Sequence, residues 1–421
     1  MPVGLYISIP FCRTKCSYCN FASDVFSKSA YENYVARLVE DIADSRQLAT
    51  GLGCVLEETA DSIYLGGGTP SILNGAQLVR IFTAVRDEFA VTPDSEITVE
   101  CAPGTLTPAV IDTLLQCGVN RVSLGVQSFV DEEAQAVGRL HKRATVLDEI
   151  GRLRDAGLSN INIDLIAGLP HQTAESWAFS VSETIAAGVP HVSVYMLEVD
   201  DDSRLGRELM AGGVRYHAHF VPDDDAIAEF YQQACQMLAA GGMAQYEISN
   251  FARATLESGH SGLQSNQSRH NLKYWMRQPY LGFGVDAHSM LAVDFENGEH
   301  YAAVRFSIPE SLDAFMNRAS HTVTPVSAQA AIEESFFLGL RLNRGIDIDL
   351  GQPRKEFGSD LSREAVATWE SAIEQCVHEG LLEQQGATLR LTGRGRLLSN
   401  EVFAKFLIEE TKVGTGHVNP R

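Results

Sequence analysis

Cys12, Cys16 and Cys19 stand in a C-x₃-C-x₂-C run, Phe11-Cys12-Arg13-Thr14-Lys15-Cys16-Ser17-Tyr18-Cys19-Asn20-Phe21, directly after a short apolar stretch. Spacers this short let three thiolates on one loop converge on one inorganic centre. Iron–sulfur clusters take Cys thiolates, usually four of them. Here the local run supplies three, and Phe21 fills the place where a further ligand could fall. One iron of a 4Fe–4S cluster is then left without a protein ligand, free to bind a small molecule. Zinc prefers four ligands, often as two separated C-x₂-C pairs, and the sequence has no second pair. A disulfide is disfavoured in a long chain without a secretion signal.

Further polar groups recur at the ends of strand-like runs. Gly66-Gly67-Gly68-Thr69-Pro70 follows the second run, Glu100 ends the third, Gln127-Ser128 the fourth, and Asp164 the fifth. Glycines let backbone approach a ligand closely and point N–H groups at it. Glu100 can accept from ribose-type hydroxyls, and Gln127 can both donate and accept. Arg139 can pair a carboxylate bidentately. Asp164 lies inside the apolar run 161–169, where an unpartnered carboxylate is costly, so it is expected to face a cavity.

The elements that must position these groups alternate. Strands are expected at 5–10, 62–65, 96–101, 121–126, 160–165 and 191–196, with amphipathic helical stretches at 31–46, 75–89, 108–117, 144–156 and 174–187. From the second strand on, the repeat is that of a βα unit. Alternating β and α argue for a parallel sheet with helices outside, and six such units make an incomplete TIM-type barrel, a partial (β/α)6 α/β fold. Function in such barrels sits at the C-terminal strand ends, the end at which the cysteine loop and the polar tips all fall.

The net charge of −21 repels phosphate backbones, so nucleic acid is not an expected partner. No apolar run approaches the roughly 20 residues that span a bilayer, and no signal peptide is read at the N-terminus. Cys54, Cys101, Cys117, Cys235 and Cys376 are scattered and read as small buried residues. This usage fits a reducing cytoplasm, the expected location.

The cysteine loop after the first strand resembles that of the radical SAM superfamily. The resemblance implies that the open iron chelates S-adenosylmethionine (SAM), and that the reduced cluster passes it one electron to release a 5′-deoxyadenosyl radical. The series Tyr6, Cys12, Gly67-Gly68-Thr69, Glu100, Gln127, Arg139, Asp164 is similar to the coproporphyrinogen-oxidase-like branch. It implies SAM contacts from Tyr6, Tyr18, Gly67, Gly68, Thr69, Glu100, Gln127, Arg139 and Asp164, with the glycine-rich turn holding the methionine amino group.

Three features distinguish the chain from the oxygen-independent oxidase of that branch. Phe21 stands where the oxidase has an additional Cys, and Tyr6 lies almost at the chain start where the oxidase has an N-terminal extension. Residues 269–275 read Arg-His-Asn-Leu-Lys-Tyr-Trp, an H-N-x-x-Y-W pattern that resembles the haem-chaperone relatives of the HemW type. That resemblance covers roughly residues 5–405 and implies haem contact by His270, Asn271, Tyr274 and Trp275. Imidazole is a normal haem ligand, and the two aromatics offer flat amphipathic surface. The residues alone also allow His270 and Asn271 to bond backbone and Trp275 to pack in a core. Three departures stand out: Ser8 where relatives usually have His, a long Ser/Gly/Gln-rich stretch at 254–268, and Gly284-Val285-Asp286 in place of Gly-Pro-Gly.

The expected organisation is a barrel at 1–235 holding the 4Fe–4S and SAM site and a connecting region with the haem motif at 236–320. An α+β winged-helix-like domain at 321–412 and a frayed tail at 413–421 complete it. The last region holds helical patterns at 327–342, 362–379 and 395–410 and a hairpin around Gln385-Gly386. From residue 325 onward it carries 11 Lys/Arg against 14 Asp/Glu. No basic face results, so it is expected to cover the barrel or dock a protein rather than bind DNA. The resemblance implies haem binding and delivery to acceptor apoproteins, respiratory enzymes at the membrane surface. Two rivals remain open: oxidative decarboxylation of coproporphyrinogen III, and a structural Fe–S or zinc module acting as an adaptor.

Overall fold

The computed structural model describes residues 1–254, 266–293, 301–348 and 368–407. The chain divides into two units, one of residues 1–274 and 278–327, the other of residues 275–277 and 328–421. The stretches 255–265 and 362–367 and the tail at 413–421, which carry sequence expectations, lie outside the described residues.

The first unit is built on a 12-stranded sheet. Its centre is six parallel strands in chain order: β1 Val3–Ile9, β2 Thr59–Gly67, β3 Ala90–Cys101, β4 Arg121–Gln127, β5 Ile161–Ala167 and β6 His191–Met196. These are the six expected strands, each within a few residues of its sequence range except β3, which starts earlier. Six further strands extend the same sheet: β7 Met243–Gln245, β8 Asn250–Arg253, β9 Tyr280–Phe283, β10 His288–Ala292, β11 Tyr301–Ser307 and β12 Thr322–Ser327. β9 joins β1 in parallel, while β8 runs antiparallel to β6.

Strand periodicity explains the two faces of the parallel sheet. Leu5, Ile7, Ile9, Ile63, Leu65, Val99, Val122, Leu124, Ile163 and Val192 are fully buried under the helices. The alternate positions are polar or small: Tyr6 and Ser8; Ser62, Tyr64 and Gly66; Thr98 and Glu100; Ser123, Gly125 and Gln127; Asn162 and Asp164; His191, Ser193 and Tyr195. The inner face is therefore filled by hydrogen bonds rather than by branched aliphatics. Asn162 Nδ2 donates to Ser123 Oγ and Asp164 Oδ1, both at 2.7 Å. His191 bonds Asn162 Oδ1 at 2.6 Å and the Tyr246 hydroxyl at 2.9 Å.

Helices begin where the sequence caps them. Asn74 and Gln77 form a reciprocal capping box at the helix Gly75–Glu88, as do Thr173 and Ser176 at Ala174–Ala186. The helix Arg269–Trp275 begins on Glu96, whose carboxylate accepts from the N–H groups of Arg269 and His270, both at 3.1 Å. Its Lys273 is buried, pairing with Asp61 at 2.7 Å and the Pro2 carbonyl at 2.9 Å. Pro2 precedes β1, Asp61 is the third residue of β2 and Glu96 lies midway along β3, so residues 269–274 pack at the end of the sheet away from the C-terminal strand tips, as the floor of the barrel. Asp286, third residue of the divergent Gly-Val-Asp triplet, has φ 59°, a backbone state that glycine adopts without strain.

The second unit packs the helix Ala328–Leu340 with a three-stranded antiparallel sheet, β13 Ile346–Asp347, β15 Thr388–Leu391 and β14 Leu382–Gln385. The expected hairpin turns at Gly386, φ 61°. Phe336 contacts Trp369 and Phe406 at centroid distances of 4.9 and 4.6 Å. Trp275 belongs to this unit, under the Arg341 guanidinium at 4.1 Å, and Arg277 forms a buried 2.8 Å ion pair with Glu334.

Candidate functional site

The C-terminal tips of β1 to β6 surround one cavity of about 340 Å³. Cys12, Cys16 and Cys19 line it, together with Tyr18 and Arg139. Gly67, Gly68, Thr69, Glu100, Gln127 and Asp164 line it as well. Eleven of the sixteen residues singled out from sequence thus meet in one place.

The cysteine loop is held against the glycine turn. Gly68 donates its N–H to the Ile9 carbonyl at 2.8 Å. A Cβ on Gly68 would lie 2.7 Å from the Phe11 carbonyl oxygen and 3.0 Å from Cys12 Sγ, so only glycine lets the two segments approach this closely. Thr69 Oγ1 donates to Cys12 Sγ at 3.8 Å and Arg139 to Cys16 Sγ at 3.6 Å. Arg139 also donates to the Gly125 carbonyl. Burial pushes the Cys12 and Cys19 thiols up. Buried thiols of this kind ionise when a bound cationic centre compensates them.

Among the described residues no three Cys, His, Asp or Glu groups converge closely enough to hold a single metal ion. Around one zinc the sulfurs stand about 3.8 Å apart. A cubane asks for wider spacing, because each thiolate takes its own iron. Cys16 is buried and Cys12 and Cys19 half-buried on the cavity lining, and three thiolates from one loop suit that arrangement.

The rest of the lining is acidic and polar. Glu100 accepts from the Tyr64 hydroxyl at 2.8 Å and from the Gly67 N–H at 3.1 Å. Both N–H groups of the glycine pair are thus engaged inside the protein, and the turn does not aim them at a ligand as the sequence reading had it. Burial pushes the Glu100 carboxyl up to about 7, opposed by the Tyr64 hydrogen bond. Asp164 is also raised by burial, while Ser123 and Asn162 stabilise its ionised form. Gln127 has φ 69°, and its buried side-chain oxygen has no hydrogen-bond partner among the described residues. An orphaned acceptor on a cavity wall is the mark of a site built for a polar ligand.

Tyr6 lies one layer below, with its ring 6.1 Å from that of Tyr64, and does not line the cavity. His270, Asn271, Tyr274 and Trp275 do not line it either. His270 is 1% exposed in the barrel floor. Its Nδ1 bonds Ser62 Oγ at 3.0 Å and its Nε2 bonds the Tyr274 hydroxyl at 2.9 Å. Burial holds its pKa down to about 3, so it is neutral. Iron ligation by His270 therefore requires displacing one of these partners. Asn271 donates its N–H to Ser268 Oγ at 3.3 Å, inside its own helical turn.

Tyr64, Ser123 and Tyr195 also line the cavity, Asn162 holds Asp164 and Ser123 in place, and none of the four is singled out by the sequence. The period-2 pattern Asn162-x-Asp164 and Ser123-x-Gly125-x-Gln127 was the available signal.

Comparison with known proteins agrees with this geometry. Residues 6–181 match the radical SAM superfamily, and residues 326–398 match the HemN C-terminal domain. The heme chaperone HemW of Lactococcus lactis is 32% identical over 97% of this chain and 98% of its own length. That of Bacillus subtilis is 32% identical over 96% and 99%. The solved structure of coproporphyrinogen III oxidase (HemN) from Escherichia coli superposes with TM-score 0.75 at 22% identity, covering 96% of this chain and 90% of that one; the likeness is one of fold. The sequence identity, sustained over nearly the full length, places the chain in the HemW family of radical SAM proteins.

Proposed function

We propose that this protein holds a 4Fe–4S cluster on Cys12, Cys16 and Cys19, binds SAM at the strand tips, and carries haem to acceptor apoproteins. The observation that supports the first two parts is the single cavity lined by all three thiols together with Glu100, Gln127 and Asp164. When bound, such a cluster supplies one electron to the sulfonium. In this reading the chain's own groups bind and orient. Glu100 and Asp164 accept from hydroxyls, Gln127 fills its open acceptor valence, and Arg139 offsets thiolate charge while facing a carboxylate. The turn Gly67-Gly68-Thr69 brings backbone against the methionine end, and Tyr6 and Tyr18 brace the two sides. The haem part is supported by identity over 96–97% of the chain to proteins named as haem chaperones. Among the described residues no helix is long and apolar enough to cross a membrane, so membrane-bound acceptors are met from the surface.

The test is one anaerobic preparation with three readouts. About four iron and four sulfide per chain are expected, lost in Cys16→Ala together with the brown chromophore. SAM binds by calorimetry, and added haemin shifts its Soret band. Turnover of coproporphyrinogen III to protoporphyrinogen IX on the same preparation would reverse the assignment in favour of the oxidase.

A further inference from the structure

His270 presents no nitrogen to solvent, yet the upper face of the barrel carries an imidazole pair that does. His171 follows β5, and His217 follows the helix Arg204–Ala211. His171 Nε2 and His217 Nδ1 are 2.9 Å apart. His171 is exposed and His217 half-buried, and the outer nitrogens, His171 Nδ1 and His217 Nε2, have no hydrogen-bond partner among the described residues. Both residues sit at positive φ, 69° and 60°, a state that persists only where the surroundings enforce it.

The surroundings are apolar and exposed. Phe220 stacks on His171 at 4.1 Å, is 52% exposed, and accepts the His171 N–H at 2.9 Å through its carbonyl. The Glu208 carboxylate draws the following loop back onto the helix by accepting from the N–H groups of Arg215, Tyr216 and Ala218. That fold-back leaves Leu209, Met210 and Val214 at 56%, 62% and 80% exposure. Four large apolar side chains exposed within the twelve residues 209–220 give this segment the composition of a binding surface. On its inner side the segment is fixed to the cysteine loop, with Leu205 N–H on the Ser17 carbonyl at 2.8 Å and Arg204 on the Lys15 carbonyl at 3.1 Å.

We propose that haem docks on this segment, with His217 Nε2 as the iron ligand and His171 as the positioning residue. The inference rests on the reading that the chain binds haem. A flat apolar macrocycle with a metal at its centre and two carboxylates at its edge matches what the segment offers: apolar side chains, an outward imidazole nitrogen, and the Arg215 guanidinium. A ligating histidine characteristically donates its other ring N–H to a neighbour that fixes tautomer and orientation. His217 Nδ1–H on His171 Nε2 supplies that bond, and Phe220 holds His171 in place.

Ferric haemin titrated into the full chain tests this. The wild type should give a red-shifted Soret band at one equivalent. His217→Ala should lose the imidazole-ligated spectrum and at least about tenfold in affinity, and millimolar imidazole should restore the spectrum. His171→Ala should weaken binding by about tenfold while keeping the spectrum. Both variants should retain wild-type iron content and melting temperature, and His270→Ala should keep the Soret band. A His217→Ala titration identical to wild type overturns the proposal. If His270→Ala alone then loses the band, haem binding stands and the iron lies in the floor. A wild type that leaves the haemin spectrum unchanged overturns both this proposal and the haem-binding reading.

Discussion

The Tyr64 hydroxyl donates to Glu100 Oε1 at 2.8 Å, joining a side chain from the middle of β2 to the acidic wall of the cavity. The bond favours ionised Glu100, against burial that pushes its carboxyl to about 7. As the acceptor for SAM hydroxyls the carboxylate must be ionised, so SAM affinity should rise with pH through about 7. Tyr64→Phe should move that midpoint upward and weaken binding about five- to tenfold at pH 7, the worth of roughly 1 kcal/mol. Calorimetry at pH 6, 7 and 8 checks it, and a flat profile counts against Glu100 as the acceptor. Stability without ligand runs the other way. Protonated Glu100 favours the fold fully below the ordinary glutamate range, and this contribution is lost as pH rises through about 7.

Gly68→Ala tests the approach of the turn to the cysteine loop. The new methyl meets two carbonyl oxygens and Cys12 Sγ within 3.0 Å, so the loop must move outward. Iron content after reconstitution should fall by about half or more, with far-UV circular dichroism unchanged and stability lower by about 1–3 kcal/mol.

Gln127→Gly should separate binding from stability. It removes a buried unpartnered oxygen and a side chain held at φ 69°. Those gains offset the roughly 0.5–1 kcal/mol entropic cost of glycine. The melting temperature should stay within a few degrees of wild type or rise, while SAM affinity drops by about tenfold. Unchanged affinity would remove Gln127 from the ligand site.

His270 gives a prediction about acid. Its folded-state pKa is held down to about 3 by burial, below the ordinary histidine value of about 6.5. The unfolded chain therefore takes up a proton that the fold cannot. The resulting stability is present above pH 6.5 and is lost as pH falls towards 3. Denaturant unfolding between pH 7 and 4 should show this slope, and His270→Gln should remove one proton of it. His270→Ala should cost about 2–4 kcal/mol at pH 7, because it opens a cavity and strands the Ser62 and Tyr274 hydroxyls, and the cost should shrink as pH falls below 6.5, because the variant lacks the titrating group.

The cysteine loop and the strand tips were legible because each lies in a short window whose chemistry does not depend on distant residues. The six parallel strands were legible for a similar reason, since apolar runs recur at the βα repeat. The polar inner wall was only half legible: Asp164 stood out as a carboxylate in an apolar run, while Tyr64 and Asn162 read as ordinary strand residues until their neighbours were known. His270 shows where sequence reading stops. Its motif suggests a ligand, but its partners Ser62 and Glu96 lie 208 and 174 residues away in the chain, and no local pattern announces a barrel floor. The short strands β7 to β12 were missed because three- to seven-residue runs separated by irregular chain carry little periodicity.

The position of β1 between β2 and β9 has a bearing on biosynthesis. β1 gains its β2 neighbour early in synthesis, but its other edge pairs only with Tyr280–Phe283, roughly 270 residues later. At about 5–20 residues per second that edge waits roughly 15–55 seconds for its partner. Throughout that interval a nascent chain presents an apolar, hydrogen-bond-hungry ribbon next to the empty cysteine loop, and its yield in the cell depends on how well that ribbon is shielded from other polypeptides.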